Sequence, residues 1–140
     1  MILPDVNVLI YAFRDDSPDH PRYRAWLESV VNSSEAYGIS PQVLAGVVRI
    51  VSHPRVFARP SQATDAFMFA RTLMEQPNAI TVVPGERHWS IFVQLCSTAG
   101  ATGNLVQDAW YAALAIESGC EWVTRDRDYA RFPGLRWRTP

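Results

Sequence analysis

The chain has 140 residues, the size of one ordinary domain, and 48% of them are hydrophobic against 19% charged, which excludes a disordered polar chain. Its net charge of −1 excludes a global attraction for nucleic acid. Any RNA binding must therefore depend on a local group of arginines, since the chain has no lysine.

The sequence also shows no sign of a membrane or secretory segment. No apolar run reaches the roughly 18 residues that a membrane span needs, and no basic stretch leads a long apolar one at the start of the chain. Cys96 and Cys120 lack a CxxC spacing, so we expect two reduced thiols. Together these features predict a cytoplasmic protein that does not enter a membrane.

Short apolar segments alternate with amphipathic ones in chain order. Residues 2–3 predict a buried strand, and residues 6–13 a helix, because their apolar positions recur at i, i+3, i+4 and i+7. Further helices are predicted at residues 22–32, at 41 to about 52, after a cap at Ser61, at 86–97, and from a cap at Asn104 to residue 117. Further strands are predicted at residues 36–39, 80–83 and 120–124.

This alternation of four or five strands with helices is typical of a three-layer α/β/α sandwich around a mostly parallel sheet. Because no repeat, low-complexity tract or linker divides the chain, we expect a single domain over residues 1–140. The helices that start near Pro41 and Ser61 belong either to the body of this domain or to a protruding clip.

Acidic side chains follow two of the predicted strands. Asp5 and Asp126 each come just after a strand, and ligands of open parallel sheets bind beyond the carboxyl ends of the strands. Asp108 shares the apolar face of its predicted helix, and burying a lone carboxylate costs several kcal/mol unless the group is paired or bound to metal. The helix dipole contributes only about 0.3 to 1 kcal/mol, which is too little.

Three carboxylates at one sheet edge would repel one another unless a cation neutralised them. Oxygen ligands favour Mg²⁺, or Mn²⁺, over zinc. Other roles stay open, since Asp5 suits a helix N-cap and Asp126 and Asp128 suit a turn. Asn7 and Thr124 suit either caps or partners that orient a carboxylate or a water.

Four blocks of the sequence together resemble a known family. The chain opens with Leu3-Pro4-Asp5-Val6-Asn7, similar to the D-x-N/S start of PIN domains. The middle block at residues 48–57 and the closing blocks at residues 107–115 and 123–135 resemble VapC-type toxins. The order of these blocks along the whole chain makes the resemblance far more specific than D-x-N alone.

The resemblance implies a PIN-like fold and a Mg²⁺- or Mn²⁺-dependent endoribonuclease. Such an enzyme would cut structured RNA such as tRNA or rRNA, inhibit translation as a toxin, form a homodimer and be silenced by a VapB-type antitoxin. The metal ligands would then be Asp5, Asp108 and Asp126, with Asp128 as a further acid acting through water. In one departure from many PIN domains, the helix at residues 41–52 has no acidic residue.

Basic and aromatic residues allow two interpretations each. Arg49, Arg125 and Arg127 suit RNA phosphate or carboxylate contacts, but the simpler expectation is an ordinary salt bridge for each. The three histidines, His20, His53 and His88, are predicted to be loop or helix-surface residues, and the five tryptophans to serve the core and a dimer interface.

Several other classes of function lack their required residues. Response-regulator receivers and aspartate phosphotransferases need an active-site lysine, and the chain has none. Glycine-rich phosphate loops, G-x-S-x-G elbows and paired-cysteine motifs are also missing. The remaining rival is a catalytically weakened PIN-fold module that binds RNA or protein, and such a module would bind its partner in the presence of a chelator.

Overall fold

Short strands, each of two or three residues, form a five-stranded sheet in the computed structural model, which describes residues 1–140. The strands are β1 (Ile2–Pro4), β2 (Tyr37–Ile39), β3 (Ala79–Thr81), β4 (Glu121–Val123) and β5 (Trp137–Arg138). The helices are α1 (Val6–Phe13), α2 (His20–Val31), α3 (Pro41–Val51), α4 (Ala63–Met74), α5 (His88–Ala99) and α6 (Asn104–Ser118), and a 3₁₀ helix covers Arg127–Arg131.

All neighbouring strands run parallel, in the order β3-β2-β1-β4-β5, which confirms the α/β/α sandwich. The strand order reverses between β1 and β4, where a ligand crevice is expected in this architecture. Pro4 of β1 is in register with Val123 of β4. The residues that follow, Asp5 and Thr124, therefore leave the sheet side by side.

One apolar core joins β1, β4 and α6 beneath this crevice. Leu3, Leu114, Trp122 and Val123 are all fully buried within it. Since burying a large apolar side chain contributes about 1.5 to 3 kcal/mol, these residues hold the two central strands against α6. α3 and α4 both supply residues to the same core, so they belong to the body of the fold.

Gly46 lets α3 approach α1 closely. A Cβ at this position would lie 3.1 Å from Val6 Cγ2 and 3.4 Å from the Tyr111 hydroxyl. Because a larger side chain would push these groups apart, the glycine sets the distance between α3, α1 and α6 on one side of the crevice.

Several element ends differ from the sequence-based prediction. Asn104 is the first residue of α6, not its cap, because Gly103 occupies the cap position with φ of 56°. Ser61 does not cap α4, since its hydroxyl accepts a hydrogen bond from Arg14. α5 begins at His88, two residues later than predicted, and α2 begins at His20, two residues earlier.

The two cysteines form no disulfide; Cys96 is partly buried and Cys120 is buried. None of the six helices combines the length and the apolar character that crossing a bilayer requires.

Candidate functional site

A cleft of about 380 Å³ opens at the carboxyl ends of β1 and β4. α3 borders it on one side and the first half of α6 on the other. Asp5, Asp108 and Asp126, which are far apart in sequence, all line it. The topology thus brings the three predicted carboxylates to one place.

Asp5 has hydrogen-bond donors at both carboxylate oxygens. Its Oδ1 accepts from the backbone N–H of Val6 at 2.6 Å, so it does cap α1, as one interpretation of the sequence held. Its Oδ2 accepts from Asn7 Nδ2 and from the Thr124 hydroxyl, each at 2.6 Å. Asp5 is therefore both a helix cap and a wall of the cleft.

The Thr124 hydroxyl has only one direction left for its hydrogen. Its oxygen accepts from Asn7 Nδ2 at 3.1 Å and from the backbone N–H of Asp126 at 3.0 Å. The hydroxyl hydrogen then points at Asp5. Thr124 and Asn7 thus orient the Asp5 carboxylate, and Thr124 also fixes the turn that carries Asp126.

Burial raises the pKa of the Asp5 carboxyl from 3.8 to about 7. The hydrogen bonds from Thr124 and Val6 lower it, whereas repulsion from Asp108 and Asp126 adds to the rise. Without a facing cation, Asp5, which is only 4% exposed, is therefore protonated below about pH 7 and ionised above it.

Asp108 projects from α6 towards the same cleft and is half-buried. Burial, the largest cause, and repulsion from Asp126 raise its pKa from 3.8 to about 6, although a hydrogen bond from the Tyr129 hydroxyl, at 3.4 Å from Oδ1, lowers it. Tyr129 is itself buried, and burial and the nearby carboxylates raise its pKa. The phenol therefore remains protonated and able to donate.

Asp126 and Asp128 differ in position. Asp126 lines the cleft and also caps the 3₁₀ helix, because its Oδ1 accepts from the backbone N–H of Asp128 at 2.8 Å. Asp128 is exposed and does not line the cleft, although its charge helps to raise the pKa of Asp108. Asp128 is thus an outlying member of the acidic group.

The prediction that three arginines form salt bridges is wrong. Arg49, Arg125 and Arg127 are all exposed, and none makes an ion pair. Arg49 lines the cleft from α3, and the Arg125 guanidinium lies 4.6 Å above the centre of the Tyr11 ring. Arg49 therefore offers a cation in the acidic cleft itself, whereas Arg125 and Arg127 lie outside its lining.

The α3 wall of the cleft holds no acid. Its contributions are Gly46, Arg49 and Ile50, so a cation and no carboxylate faces the cleft from this helix. The acidic residue that the sequence lacks on this helix is therefore not replaced by another acid on the same wall.

The carboxylate oxygens in the cleft are the type of ligand that a hard divalent cation prefers. Three carboxylates face one cleft, and burial, with a smaller contribution from repulsion between the carboxylates, raises the pKa values of Asp5 and Asp108. No three acidic, histidine or cysteine side chains stand close enough to enclose a metal by themselves. Such an open arrangement suits an ion that keeps several waters, as Mg²⁺ does.

The structure contradicts the predicted surface position of one histidine and distinguishes a core tryptophan from an exposed one. His88 is 1% exposed, not a surface residue, because it packs against Phe92 and Trp110 and its Nε2 donates to the Trp110 carbonyl at 3.0 Å. Trp122 lies in the core, whereas Trp89 is 63% exposed on α5.

Tyr111 and Tyr129 line the cleft but were not predicted as site residues. Tyr111 carried a detectable signal, since it lies three positions after Asp108 on the same helix face. Tyr129 carried none beyond its place in the closing block, because its contact with Asp108 joins a 3₁₀ helix to α6.

Comparisons with known proteins identify the family of this fold. A model of the PIN domain family matches residues 2–135. A VapC ribonuclease of Mycobacterium bovis is 45% identical over 140 residues, covering 100% of this chain and 95% of that protein.

Two solved structures share the fold. VapBC2 of Rickettsia felis, bound to a DNA fragment from its promoter, gives a TM-score of 0.69 at 20% identity over 100% of this chain and 99% of that one. VapC20 of Mycobacterium tuberculosis, a toxin that cleaves the sarcin–ricin loop, gives 0.66 at 14% identity over 97% and 99%.

Proposed function

Because the chain belongs to the PIN domain family, we propose that it is a metal-dependent endoribonuclease, the toxin of a toxin–antitoxin pair. One observation carries the proposal: the fold buries Asp5 in a cleft beside Asp108 and Asp126. Such a group of acids calls for a counter-charge, since Asp108 and Asp126 add to the rise in the pKa of Asp5, and Asp126 adds to that of Asp108.

The metal would be held by Asp5, Asp108 and Asp126, with Asp128 at the margin. When bound, a divalent ion supplies a Lewis acid that activates a water and stabilises negative charge on a phosphate. Thr124 and Asn7 keep the Asp5 oxygens in place. Arg49, on the opposite wall, offers a guanidinium to the phosphate backbone.

The proposed substrate is structured RNA, such as tRNA or rRNA, whose cleavage would inhibit translation. VapC20, which has a similar fold, is a toxin that cleaves the sarcin–ricin loop. In this chain the exposed Arg49, Arg125 and Arg127 can approach RNA phosphates around the cleft, although the molecule as a whole is slightly acidic.

We expect a cytoplasmic homodimer that is inhibited by a VapB-type antitoxin. The solved VapBC2 structure pairs a protein of this fold with its VapB partner. For the dimer, the support is the apolar surface of α5, where Trp89 and Val93 are 63% and 48% exposed.

The test is cleavage of a total tRNA and rRNA pool by purified protein with Mg²⁺, with Mn²⁺ and with EDTA. Asp5→Asn and Asp108→Asn are compared with Asp65→Asn, which changes an exposed acid on α4. We expect discrete cuts with either metal and with the control variant, and none with EDTA or either site variant.

Absence of cleavage by antitoxin-free wild type with both metals would overturn the proposal. Persistent RNA binding in EDTA would then favour the binding-module alternative, for which the acid-free wall of α3 is the structural reason.

A further inference from the structure

A second cavity, of about 290 Å³, lies directly beside the carboxylate cleft. The two share Asn7 and Ile10, so a single layer of side chains separates them. The remaining lining residues come from the end of α1, the loop after it and the loop before α4: Tyr11, Asp16, Ser17, Pro18 and Phe57.

Two aromatic side chains in this lining each make a cation–π contact with an arginine. The Arg125 guanidinium lies 4.6 Å from the centre of the Tyr11 ring, and that of Arg14 lies 3.7 Å from the centre of the Phe57 ring. Such cation–π contacts hold a ring in a fixed orientation. The aromatic walls are therefore set before any ligand arrives.

Arg14 fastens the separate segments together. It is 7% exposed, and its Nε and Nη2 donate to the two oxygens of Asp16 at 2.8 and 2.6 Å. It also donates to the Arg59 carbonyl and the Ser61 hydroxyl, both at 2.9 Å. Since one buried guanidinium binds both loops, the cavity is a built feature of the fold and not a gap between mobile loops.

The chemistry of the lining selects a planar, largely apolar group with polar edges. Ile10, Tyr11, Pro18 and Phe57 offer carbon surface, and Ser17 offers an uncommitted hydroxyl. The Asp16 carboxylate is paired with Arg14, but its oxygens keep lone pairs that can accept hydrogen bonds from the edge of a base. The cavity thus suits a nucleobase, while the adjoining cleft suits the phosphate.

We propose that this cavity is a subsite for one unpaired base of the RNA, next to the nucleotide whose phosphate is cut. The inference rests on the proposed ribonuclease activity, and it extends it to substrate selection. A base in the subsite positions the chain across the carboxylates and requires a substrate whose base is free to leave its stack.

The test combines altered enzymes with altered RNA. A short RNA stem–loop that the wild type cuts is made with an abasic residue at each of the four nucleotides around the cut in turn. Phe57→Ala empties the cavity and Ser17→Phe fills it, and Phe67→Ala, at an exposed aromatic on α4, is the control. Thermal melts check that each variant folds.

At one position, the abasic residue should reduce kcat/KM of the wild type and of Phe67→Ala roughly tenfold, as expected for the loss of one stacked base. The same substitution should cost Phe57→Ala and Ser17→Phe less than about twofold, because their subsite is already lost. Equal sensitivity of all four proteins at every position would overturn the subsite.

Binding of the same RNAs in EDTA separates this inference from the proposed function. Base-dependent binding without cleavage in Mg²⁺ would support the subsite while rejecting the nuclease. Cleavage without base dependence would do the reverse, and the absence of both cleavage and binding would reject both.

Discussion

Thr124 connects three parts of the candidate site through one side chain. Its buried hydroxyl links Asp5, Asn7 and the turn at Asp126. A group that orients a metal ligand changes metal affinity without touching the metal.

We therefore expect Thr124→Val, which keeps the shape but removes the hydroxyl, to weaken Mn²⁺ binding and to lower kcat/KM about 10- to 100-fold. Titration calorimetry and RNA cleavage measure the two effects. Thr124→Ser should retain most of both, and Thr98→Val, at an exposed position of α5, should behave like wild type. Full activity of Thr124→Val would show that Asp5 needs no such support.

Asp5 also links metal binding to stability. Without metal, the folded protein holds the Asp5 proton up to about pH 7, whereas the unfolded chain releases it near 3.8. Because the folded state binds more protons in this window, the free energy of unfolding falls as pH rises from about 4 to 7, by on the order of 3 to 4 kcal/mol.

Denaturant unfolding in EDTA at pH 5 and pH 8 tests this direction. The wild type should be less stable at pH 8, Asp5→Asn should lose most of the difference, and Mg²⁺ should restore stability at pH 8. Equal stability of the metal-free wild type at both pH values would contradict it.

The acids were predictable because strand ends and helix periodicity are local patterns. Asp5 and Asp126 follow buried strands, and Asp108 interrupts an apolar helix face. The contact of Tyr129 with Asp108 and the burial of His88 depend on which elements meet in three dimensions. No local sequence pattern encodes such tertiary contacts.

At the scale of elements, α5 is held at its start by a residue of α6. Glu117 accepts hydrogen bonds from the backbone N–H groups of Gly85 and Arg87 at 2.7 and 2.8 Å. Burial alone would raise the pKa of Glu117, but these donors outweigh it and hold that pKa below its ordinary 4.5. A Cβ on Gly85 would lie 2.7 Å from the carboxylate, so the glycine makes the approach possible.

We expect Glu117→Ala to destabilise the protein by about 1 to 2 kcal/mol, as the loss of a helix cap does. The exposed Glu86→Ala is the matched control. Since the folded pKa is lowered, the stabilisation is present above 4.5 and is lost as pH falls through the folded pKa, so the stabilities of wild type and Glu117→Ala should converge in acid. A constant difference down to pH 3 would argue against a charge effect.

Element types were predicted well and element ends less well, for the same reason. Periodicity marks the middle of a helix, but ends depend on caps that can come from other elements, as Glu117 does for α5. β5 escaped prediction because a two-residue strand has no period. It exists through its pairing with β4, where Trp122 is in register with Trp137.

For the whole molecule, the slight negative charge limits how RNA can be bound. Four arginines are committed to ion pairs, and those that lie near the cleft without one are few. Affinity must then come from a few phosphate contacts together with the cleft, not from a broad basic surface.

The salt dependence of RNA binding measures the number of phosphate contacts directly. Each phosphate contact with single-stranded RNA contributes about −0.7 to the slope of log K against log salt, so contacts by Arg49, Arg125 and Arg127 predict a slope of about −2. Binding in EDTA, followed by fluorescence anisotropy, should show this slope, and Arg49→Gln should make it shallower by about 0.7. Arg24→Gln, which removes an arginine paired with Glu28 on α2, should leave it unchanged. A slope steeper than about −5 would mean that RNA contacts a much larger surface than the rim of the carboxylate cleft.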